Sequence, residues 1–200
     1  MKKYEFTGET KRVELWNRTA TLHRIKATVE FGFVKVGELG GWIEKEENLS
    51  HEGKAWVCGD AKVCGDAKVW GNAKVCGDAE VWGNAKVCDD AKVCDDAKVW
   101  GNAEVCDDAK VWGNAKVCGD AEVFLASHVL VMGSVGSRND FTTFFRDKDN
   151  EITVKCGCFL GKIDKFLEKV TQTHGNNKYA LVYRAAVEVA KLQIELTERK

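Results

Sequence analysis

Valine recurs at every sixth residue through the middle of the chain, and this spacing is its strongest pattern. The valines stand at 57, 63, 69, 75, 81, 87, 93, 99, 105, 111, 117, 123 and 129, and alanine stands two residues before each of the first twelve. A period of six fits neither the 3.6-residue turn of a helix nor the two-residue alternation of one long strand. The spacing predicts an all-β solenoid of short strands and tight corners, in which three hexapeptides, or about 18 residues, complete one triangular coil.

The alternation of side chains along a strand assigns an inside and an outside to each hexapeptide. Val points inward, so the residues on either side of it point outward. The residue two after Val is Gly at most corners and Asp at 89, 95 and 107, and both types tolerate a positive φ. An Asp or Asn follows, and we expect it to hydrogen-bond the turn backbone. Coils should stack about 4.8 Å apart, with each Val packed on the Val of the next coil.

The residues outside the array predict closing units at both ends. Residues 1–35 alternate in places and predict short strands that form an N-terminal β cap, because an exposed terminal coil is an unpaired sheet edge. Residues 36–132 form the β-helix array, and residues 133–200 form a C-terminal ββαα tail. In that tail, DFTTFFRDKDNEITVKCGCF predicts a hairpin with DKDN as its turn. Two helices follow, the first ending at Gly175 and the second with one apolar face: Tyr179, Val182, Ala186, Val187, Ala190 and Ile194.

Two motifs carry a resemblance to known proteins. The repeat A-[KE]-V-x-[GD]-[DN] resembles the hexapeptide repeat of left-handed parallel β-helix proteins. The leader VGELGGWIEKEENLSHEGKAWV at residues 36–57 resembles the YdcK-type branch of that group, an acyltransferase-like branch found in bacteria and prophages. Leader and array together cover about half of the 200 residues. The resemblance implies a left-handed coil, a homotrimer and a phage or prophage setting.

Charge and composition exclude several classes of partner. The formal net charge is −1, and no part of the chain is basic enough to predict a DNA track. The N-terminus MKKYEFTGETK lacks an apolar signal segment, and no apolar run approaches the roughly 18 residues of a membrane span. We therefore expect a cytoplasmic protein that contacts no membrane.

Nine cysteines occur, and seven of them occupy the position directly after Val. Repetition explains their number, and we expect free thiols in a reducing compartment. Disulfides along a column are not expected, because parallel Cβ atoms about 4.8 Å apart exceed the usual separation of about 3.8 Å. Metal sites are not expected either, since ligands in a line do not converge on a tetrahedral ion. Cys156 and Cys158 with His174 form a slightly better set, but the two cysteines share little more than one strand face.

The residues that follow Val form three outward columns when the sequence is folded at 18 residues. The Trp82 column holds Cys64, Trp82, Trp100 and Cys118. The Trp112 column holds Cys58, Cys76, Cys94 and Trp112, and the Trp70 column holds Trp70, Cys88, Cys106 and Phe124. A monomer would expose these columns, and contiguous apolar area of this kind marks a contact surface. Self-association, as a homotrimer, is therefore one interpretation of the columns.

A ligand cleft between subunits is a second interpretation. Lys62, Lys98 and Lys116 lie beside Trp82 and Trp100 on the same face, with Glu80 among them. An indole offers a stacking surface, and a nearby ammonium can meet a phosphate. These residues, with Trp70 and Trp112 as further binding candidates, predict a non-enzymatic protein that binds a partner or sequesters a small anionic, nucleotide-like ligand.

Two further interpretations stay open. Trp is always followed by Gly-Asn in the array, and Cys by Gly-Asp or Asp-Asp, so copying of cassettes in a purely structural scaffold explains the columns without any chemistry. Alternatively, the protein is an acyl-CoA-dependent acyltransferase, for which the resemblance implies a His base. Only His51 and His128, at the two ends of the array, could serve, and no loop interrupts residues 57–123. We expect binding rather than catalysis, with no catalytic residue, metal or cofactor.

Overall fold

The computed structural model describes residues 2–14 and 18–196. Along the chain these residues form a hairpin, a parallel β-solenoid of about five turns, a four-stranded antiparallel sheet and two helices. The predicted solenoid architecture is thereby confirmed. Within the described residues, no helix is both long enough and apolar enough to cross a membrane.

The solenoid consists of two-residue strands, each formed by a Val and the residue before it. They are β4 (Trp56–Val57), β5 (Lys62–Val63), β6 (Lys68–Val69), β7 (Lys74–Val75), β8 (Glu80–Val81), β9 (Lys86–Val87), β10 (Lys92–Val93), β11 (Lys98–Val99), β12 (Glu104–Val105), β13 (Lys110–Val111), β14 (Lys116–Val117) and β15 (Glu122–Val123). Every third strand pairs in parallel, for example Val93 with Val75 below and with Val111 above. The coil therefore contains three hexapeptides, as the spacing predicts.

The interior of the solenoid is built from the repeated Val and Ala. Each Val from Val57 to Val123, and each Ala from Ala55 to Ala121, is almost completely buried. Burial of one Val stabilises the fold by roughly 1.5–3 kcal/mol before chain entropy is subtracted, and stacking makes these contributions continuous along the axis. The core therefore depends on neighbouring coils rather than on any single repeat.

The corners adopt the backbone conformation that the sequence predicts. Asp89, Asp95 and Asp107 have φ values of 56°, 62° and 54°. At three corners the Asn that follows behaves differently from the expectation, because its side chain bonds the next coil instead of its own turn. The Asn84 amide donates to Asn102 Oδ1 at 3.0 Å, and the Asn102 amide donates to Asp120 Oδ1 at 3.0 Å. Stacked coils thus offer these side chains a partner directly above.

The N-terminal segment forms a long antiparallel hairpin of β1 (Tyr4–Glu14) and β2 (Thr19–Ala27). These strands are longer than the short ones expected for residues 1–35. β2 pairs with β3 (Leu39–Ile43), and β3 pairs in parallel with β5, so the hairpin continues one solenoid sheet. At its root Tyr4, Ile25 and Val34 join the core of the solenoid.

Two leader glycines allow β3 to pack closely on its neighbours. A Cβ at Gly40 would lie 2.5 Å from Ile25 Cγ1, and one at Gly41 would lie 2.7 Å from the Ala61 carbonyl oxygen. Real Cβ atoms do not approach neighbours so closely. The Gly-Gly pair of the leader is therefore explained by packing where the hairpin sheet meets the first coil.

The C-terminal sheet contains β16 (Val129–Val135), β17 (Asp140–Arg146), β18 (Ile152–Cys156) and β19 (Phe159–Lys162), followed by α1 (Ile163–His174) and α2 (Lys178–Gln193). The predicted hairpin is β17–β18, and both predicted helices are present, with Gly175 at φ 57° after the first. The sheet has two more strands than expected. Strand β16 was not predicted, because its first residue, Val129, is also the last Val of the six-residue pattern and was assigned to the array.

The buried face of α2 differs in part from the expected one. Ala186, Val187, Ala190 and Ile194 are buried as predicted, but Val182 is 40% exposed. Ala180 and Tyr183 take the inner positions of the first turns instead of Tyr179 and Val182. The reason is that the Tyr183 ring packs edge-on against Phe166 of α1, with 5.5 Å between ring centroids.

The C-terminal sheet closes the upper end of the solenoid. Phe145 of β17 is fully buried and belongs to the core of the array. The Lys116 backbone amide donates to Thr143 Oγ1 at 3.0 Å, and Arg146 pairs with Glu122 at 3.1 Å. These contacts hold β17 beside the last two strands of the array.

Candidate functional site

The Trp82 face is the outer surface of the sheet formed by β5, β8, β11 and β14, which carries the Trp82 column. Trp82 and Trp100 project from adjacent coils, and their rings are parallel with centroids 5.0 Å apart. The parallel stacking follows from the solenoid register, which places Val81 directly beside Val99. Two indoles separated by one coil spacing therefore form the centre of this face.

Both ends of the Trp82 face are covered by segments outside the array. Below, Ala20 and Leu22 of the hairpin form one apolar cluster with Cys64, Trp82 packs against this cluster, and Cys64 is only 4% exposed. Above, the C-terminal sheet leaves Cys118 only 1% exposed. The expectation that a monomer exposes the whole column is therefore wrong, because it treated the array without its flanking units.

Between the two covers lies a cleft of about 570 Å³, which we call the Trp82 cleft. Val13 and Glu14, at the end of β1, form one wall, and Lys155 of β18 forms the opposite one. The remaining lining comes from the array: Lys62, Cys64, Glu80, Val81, Trp82, Lys98 and Trp100. One chain builds the complete cleft, whereas the sequence suggested a cleft between subunits.

A ladder of alternating charge runs beside the two indoles. Glu80 lies between Lys62 and Lys98, and each ammonium is 3.0 Å from one of its carboxylate oxygens. Burial opposes ionisation of Glu80, but the hydrogen bonds from the two lysines outweigh burial, so the pKa of Glu80 lies below its usual value. Glu80 therefore holds both lysines in place beside the cleft.

The surroundings of the indoles limit how a ligand can meet them. One face of each ring lies against the other ring, and the Lys155 ammonium stands 5.9 Å from the centroid of Trp100. A cation over an indole is attracted by the negative face of the ring. A ligand in the cleft would therefore meet the exposed edges of the indoles and the three ammonium groups.

The structure brings four of the predicted binding residues together and separates the other three. Trp82, Trp100, Lys62 and Lys98 line the same cleft. Lys116 lies one coil higher, next to the C-terminal sheet, and does not line it. Trp70 packs near Cys88, Cys106 and Phe124 on another face, and Trp112 is 57% exposed on the third face.

Three residues of the cleft were missed by the sequence analysis. Val13, Glu14 and Lys155 come from the hairpin and from β18, which lie outside the repeat. No periodic signal connects these segments with the Trp82 column. Their position depends on how the flanking sheets dock on the array, and a single sequence contains no direct indication of that docking.

The two candidate histidine bases lie away from the Trp82 cleft. His128 is 1% exposed, and its Nδ1 accepts the backbone amide of Phe124 at 3.2 Å. Burial, and then the nearby Arg146, lowers the pKa of His128 below its usual value. The His51 ring stacks on the Tyr4 ring with 4.3 Å between centroids, and His51 Nδ1 accepts a hydrogen bond from the Lys3 backbone amide. Both rings have structural contacts, and neither lines the cleft.

Two disulfides correct the expectation of free thiols along the columns. Cys58 is bonded to Cys76, and Cys88 is bonded to Cys106. Their Cα atoms lie 4.7 Å and 4.6 Å apart, which is within the range that a disulfide spans. The prediction was wrong because it kept the side chains of stacked residues parallel, whereas a small inclination toward each other brings the sulfurs into bonding distance.

The candidate metal ligands do not assemble as a set of free thiolates. Among the described residues, one group of three ligand atoms lies within 4.8 Å of one another, formed by Cys88, Asp89 and Cys106. The two cysteines of this group are joined in a disulfide. Cys156, Cys158 and His174 line one cleft in the C-terminal unit without forming such a group.

Comparisons with known proteins add no functional assignment. The sequence matches no protein-family model, and it has no significant match among curated proteins. The parallel solenoid of about five turns is compatible with a hexapeptide-repeat β-helix. The geometry and chemistry of the Trp82 cleft therefore provide the basis for a functional proposal.

Proposed function

We propose that this protein is a non-enzymatic binding protein that holds a small anionic, nucleotide-like ligand in the Trp82 cleft. The observation that carries the proposal is the enclosure of the stacked indoles Trp82 and Trp100 between two units from outside the repeat. A purely structural array would not need the hairpin and the C-terminal sheet to leave a cleft over one pair of indoles. The volume of about 570 Å³ falls within the range of about 300–1,000 Å³ that is typical of ligand sites.

The charges in the cleft favour an anion. Lys62, Lys98 and Lys155 supply three ammonium groups, and Glu14 and Glu80 supply two carboxylates. Because Glu80 already holds Lys62 and Lys98, a phosphate would share these lysines rather than find them free. Lys155 stands over Trp100 and marks the position where an anionic group and an aromatic group of one ligand would both find partners.

The cleft supports binding better than acyl transfer. His51 and His128 both lie outside it, and Cys64, which does line it, has a pKa raised to about 11 by burial. A thiol with so high a pKa is a poor nucleophile at neutral pH, because the thiolate is the reactive form. The residues that line the cleft therefore offer positioning groups, and neither the candidate histidine bases nor a reactive thiolate is among them.

We also propose that the protein associates with copies of itself, as a homotrimer in a bacterial or phage setting. The resemblance to left-handed hexapeptide-repeat proteins of the YdcK type motivates this part of the proposal. Phe33, 90% exposed, and Val36, 65% exposed, leave apolar area for such a contact. Native mass spectrometry should give three times the chain mass, and Phe33→Glu should lower that mass to the mass of one chain. A monomeric parent protein would contradict the assembly without affecting the cleft.

Isothermal titration calorimetry of the full chain with nucleoside monophosphates and acetyl-CoA tests the binding function. We expect saturable heat with at least one nucleotide and no turnover of acetyl-CoA. Trp100→Leu should weaken binding at least tenfold, because it removes the indole that faces Lys155. Trp112→Leu is the matched control, since it changes the same repeat position on an open face.

Two results would contradict the proposal. The first is the absence of binding heat and of any thermal shift with the whole panel. The second is an equal loss of affinity in Trp100→Leu and Trp112→Leu, which would separate binding from the Trp82 cleft. Turnover of acetyl-CoA would support the acyltransferase interpretation instead.

A further inference from the structure

A second cleft of about 390 Å³ lies in the C-terminal unit, which we call the C-terminal cleft. It opens between α1, the second turn of α2, the turn that joins β16 to β17 and the turn that joins β18 to β19. Cys156 of β18 lines it, whereas its neighbour Lys155 lines the Trp82 cleft. Successive residues of a strand point to opposite sides of the sheet. The two clefts are therefore separate sites on the two sides of the same strand.

Aromatic rings form the floor of the C-terminal cleft. Phe159 and Phe166 meet with tilted planes and 5.3 Å between their centroids. Phe166 and Tyr183 are nearly perpendicular, with 5.5 Å between centroids. Rings arranged edge to face leave ring edges and faces free to surround a further flat group. The floor is thus suited to an aryl group.

A small polar group closes the inner end of the cleft. The Tyr183 hydroxyl is 3.9 Å from Cys156 Sγ, and the Thr142 hydroxyl donates to the same sulfur at 3.2 Å. Gly136 approaches the hydroxyl so closely that a Cβ there would lie 1.9 Å from the Tyr183 oxygen. The phenol is therefore held between the backbone and the thiol, and its ring contributes to the floor.

The mouth of the cleft has an excess of positive charge. Arg138 and Lys169 line it, and Asp140 is the one carboxylate among its lining residues. Both basic side chains lie on exposed residues, and neither belongs to an ion pair within the described part of the chain. A guanidinium matches a carboxylate with two parallel hydrogen bonds. The mouth can therefore hold a monoanion, while Asp140 disfavours a more highly charged group.

We propose that the C-terminal cleft binds a small aryl-alkyl carboxylate. The aryl group would lie against Phe159 and Phe166, and the carboxylate would lie between Arg138 and Lys169. The site differs from the Trp82 cleft in chemistry as well as position, because it has an aromatic floor and a cationic mouth in place of a charge ladder. It does not depend on the function proposed for the Trp82 cleft.

Calorimetric titration of the full chain with 4-phenylbutyrate tests this site. We expect saturable binding of one molecule per chain, and binding of the neutral 4-phenylbutan-1-ol at least tenfold weaker. Arg138→Gln and Lys169→Gln should each weaken the binding of 4-phenylbutyrate by roughly tenfold, since each removes a charge-assisted hydrogen bond. Thr173→Trp should abolish binding by filling the cleft from α1.

Matched variants separate this site from general effects. Lys165→Gln makes the same change on the same helix, but Lys165 pairs with Glu168 and does not line the cleft, so the affinity should be unchanged. Trp100→Leu should also leave the affinity unchanged. Three results would overturn the proposal: no saturable heat up to the solubility limit of the probe, equal affinity for acid and alcohol, or a loss in Trp100→Leu that Lys169→Gln does not show.

Discussion

The Trp82 face and the Trp112 face are built from the same hexapeptide and differ in what covers them. The Trp112 face is the outer surface of the sheet formed by β4, β7, β10 and β13, which carries the Trp112 column. Trp100 on the first face is half-buried beside Lys155, whereas Trp112 on the second is 57% exposed. The repeat thus gives both faces the same backbone, and the segments outside the repeat enclose one of them as a cleft.

The two faces also differ in the arrangement of their charged side chains. On the Trp82 face Lys62, Glu80 and Lys98 alternate and form ion pairs. On the Trp112 face Lys74, Lys92 and Lys110 stack in register, so that like charges are neighbours. Within the described residues, none of these three lysines takes part in an ion pair. The same register is therefore attractive on one face and repulsive on the other.

The largest effect on stability is expected from a charge placed in the buried valine core, which the two faces share. Val99→Asp and Val93→Asp each place a carboxylate inside the coil, one under each face, where the native Val is fully buried. An unpaired buried charge should lower the free energy of unfolding by about 4 kcal/mol or more in both variants. Urea denaturation followed by circular dichroism measures this difference.

Lys92→Asp is the control for Val93→Asp, because it introduces the same acidic side chain at the preceding residue, which points outward. It should change the free energy of unfolding by less than about 1 kcal/mol. Normal stability in either Val variant would mean that the assignment of inside and outside is wrong.

Thiol reactivity should distinguish the covered face from open surface. Burial raises the pKa of Cys64 and of Cys118 to about 11, and both lie under the covers of the Trp82 face. Relative to a thiol with an ordinary pKa of about 8.5, the thiolate fraction at pH 7.5 is lower by roughly two orders of magnitude. Alkylation by iodoacetamide at pH 7.5 should therefore be at least tenfold slower at Cys64 and Cys118, which are buried and protonated, than at Cys158, which is exposed.

The pH dependence of that reaction has a definite direction. A raised pKa keeps the thiol protonated, so the rate at Cys64 should continue to rise up to about pH 11. The two disulfides should leave five alkylated sites in the non-reduced, denatured chain. Rapid labelling of Cys64 at neutral pH in the folded protein would be incompatible with a hairpin that covers it.

Reversing the charge of the middle residue, Lys92 on the Trp112 face or Glu80 on the Trp82 face, should change the free energy of unfolding least. Lys92→Glu would give the Trp112 face the alternating pattern of the Trp82 face, and we expect a gain of about 0.5 kcal/mol in the free energy of unfolding. Glu80→Lys would do the reverse and should lose about 1 kcal/mol. Both differences should shrink in high salt, because charges near the surface are screened. A destabilising Lys92→Glu would show that the stacked lysines do not repel each other.

The solenoid and the hairpin and helices of the C-terminal unit could be predicted from local patterns, whereas the docking of the flanking units on the array could not. The six-residue period placed Val81 and Val99 inside and Trp82 and Trp100 outside, because strand alternation is a local rule. Lys155 lines the cleft because the C-terminal sheet docks beside it, and no periodic signal in the sequence indicates that docking. His128, at the upper end of the array, is buried for the same reason, since β17 brings Arg146 beside it.

Hydroxyl-radical footprinting of the native protein tests most directly whether flanking units enclose the Trp82 face. Trp82, Trp100 and Trp112 lie in different tryptic peptides, and Trp70→Phe removes the second copy of VWGNAK, at residues 69–74, that would otherwise coincide with the Trp112 peptide. We expect Trp112, which is exposed, to be oxidised several-fold faster than Trp82 and Trp100, which are half-buried. Equal oxidation rates at the three indoles would contradict it.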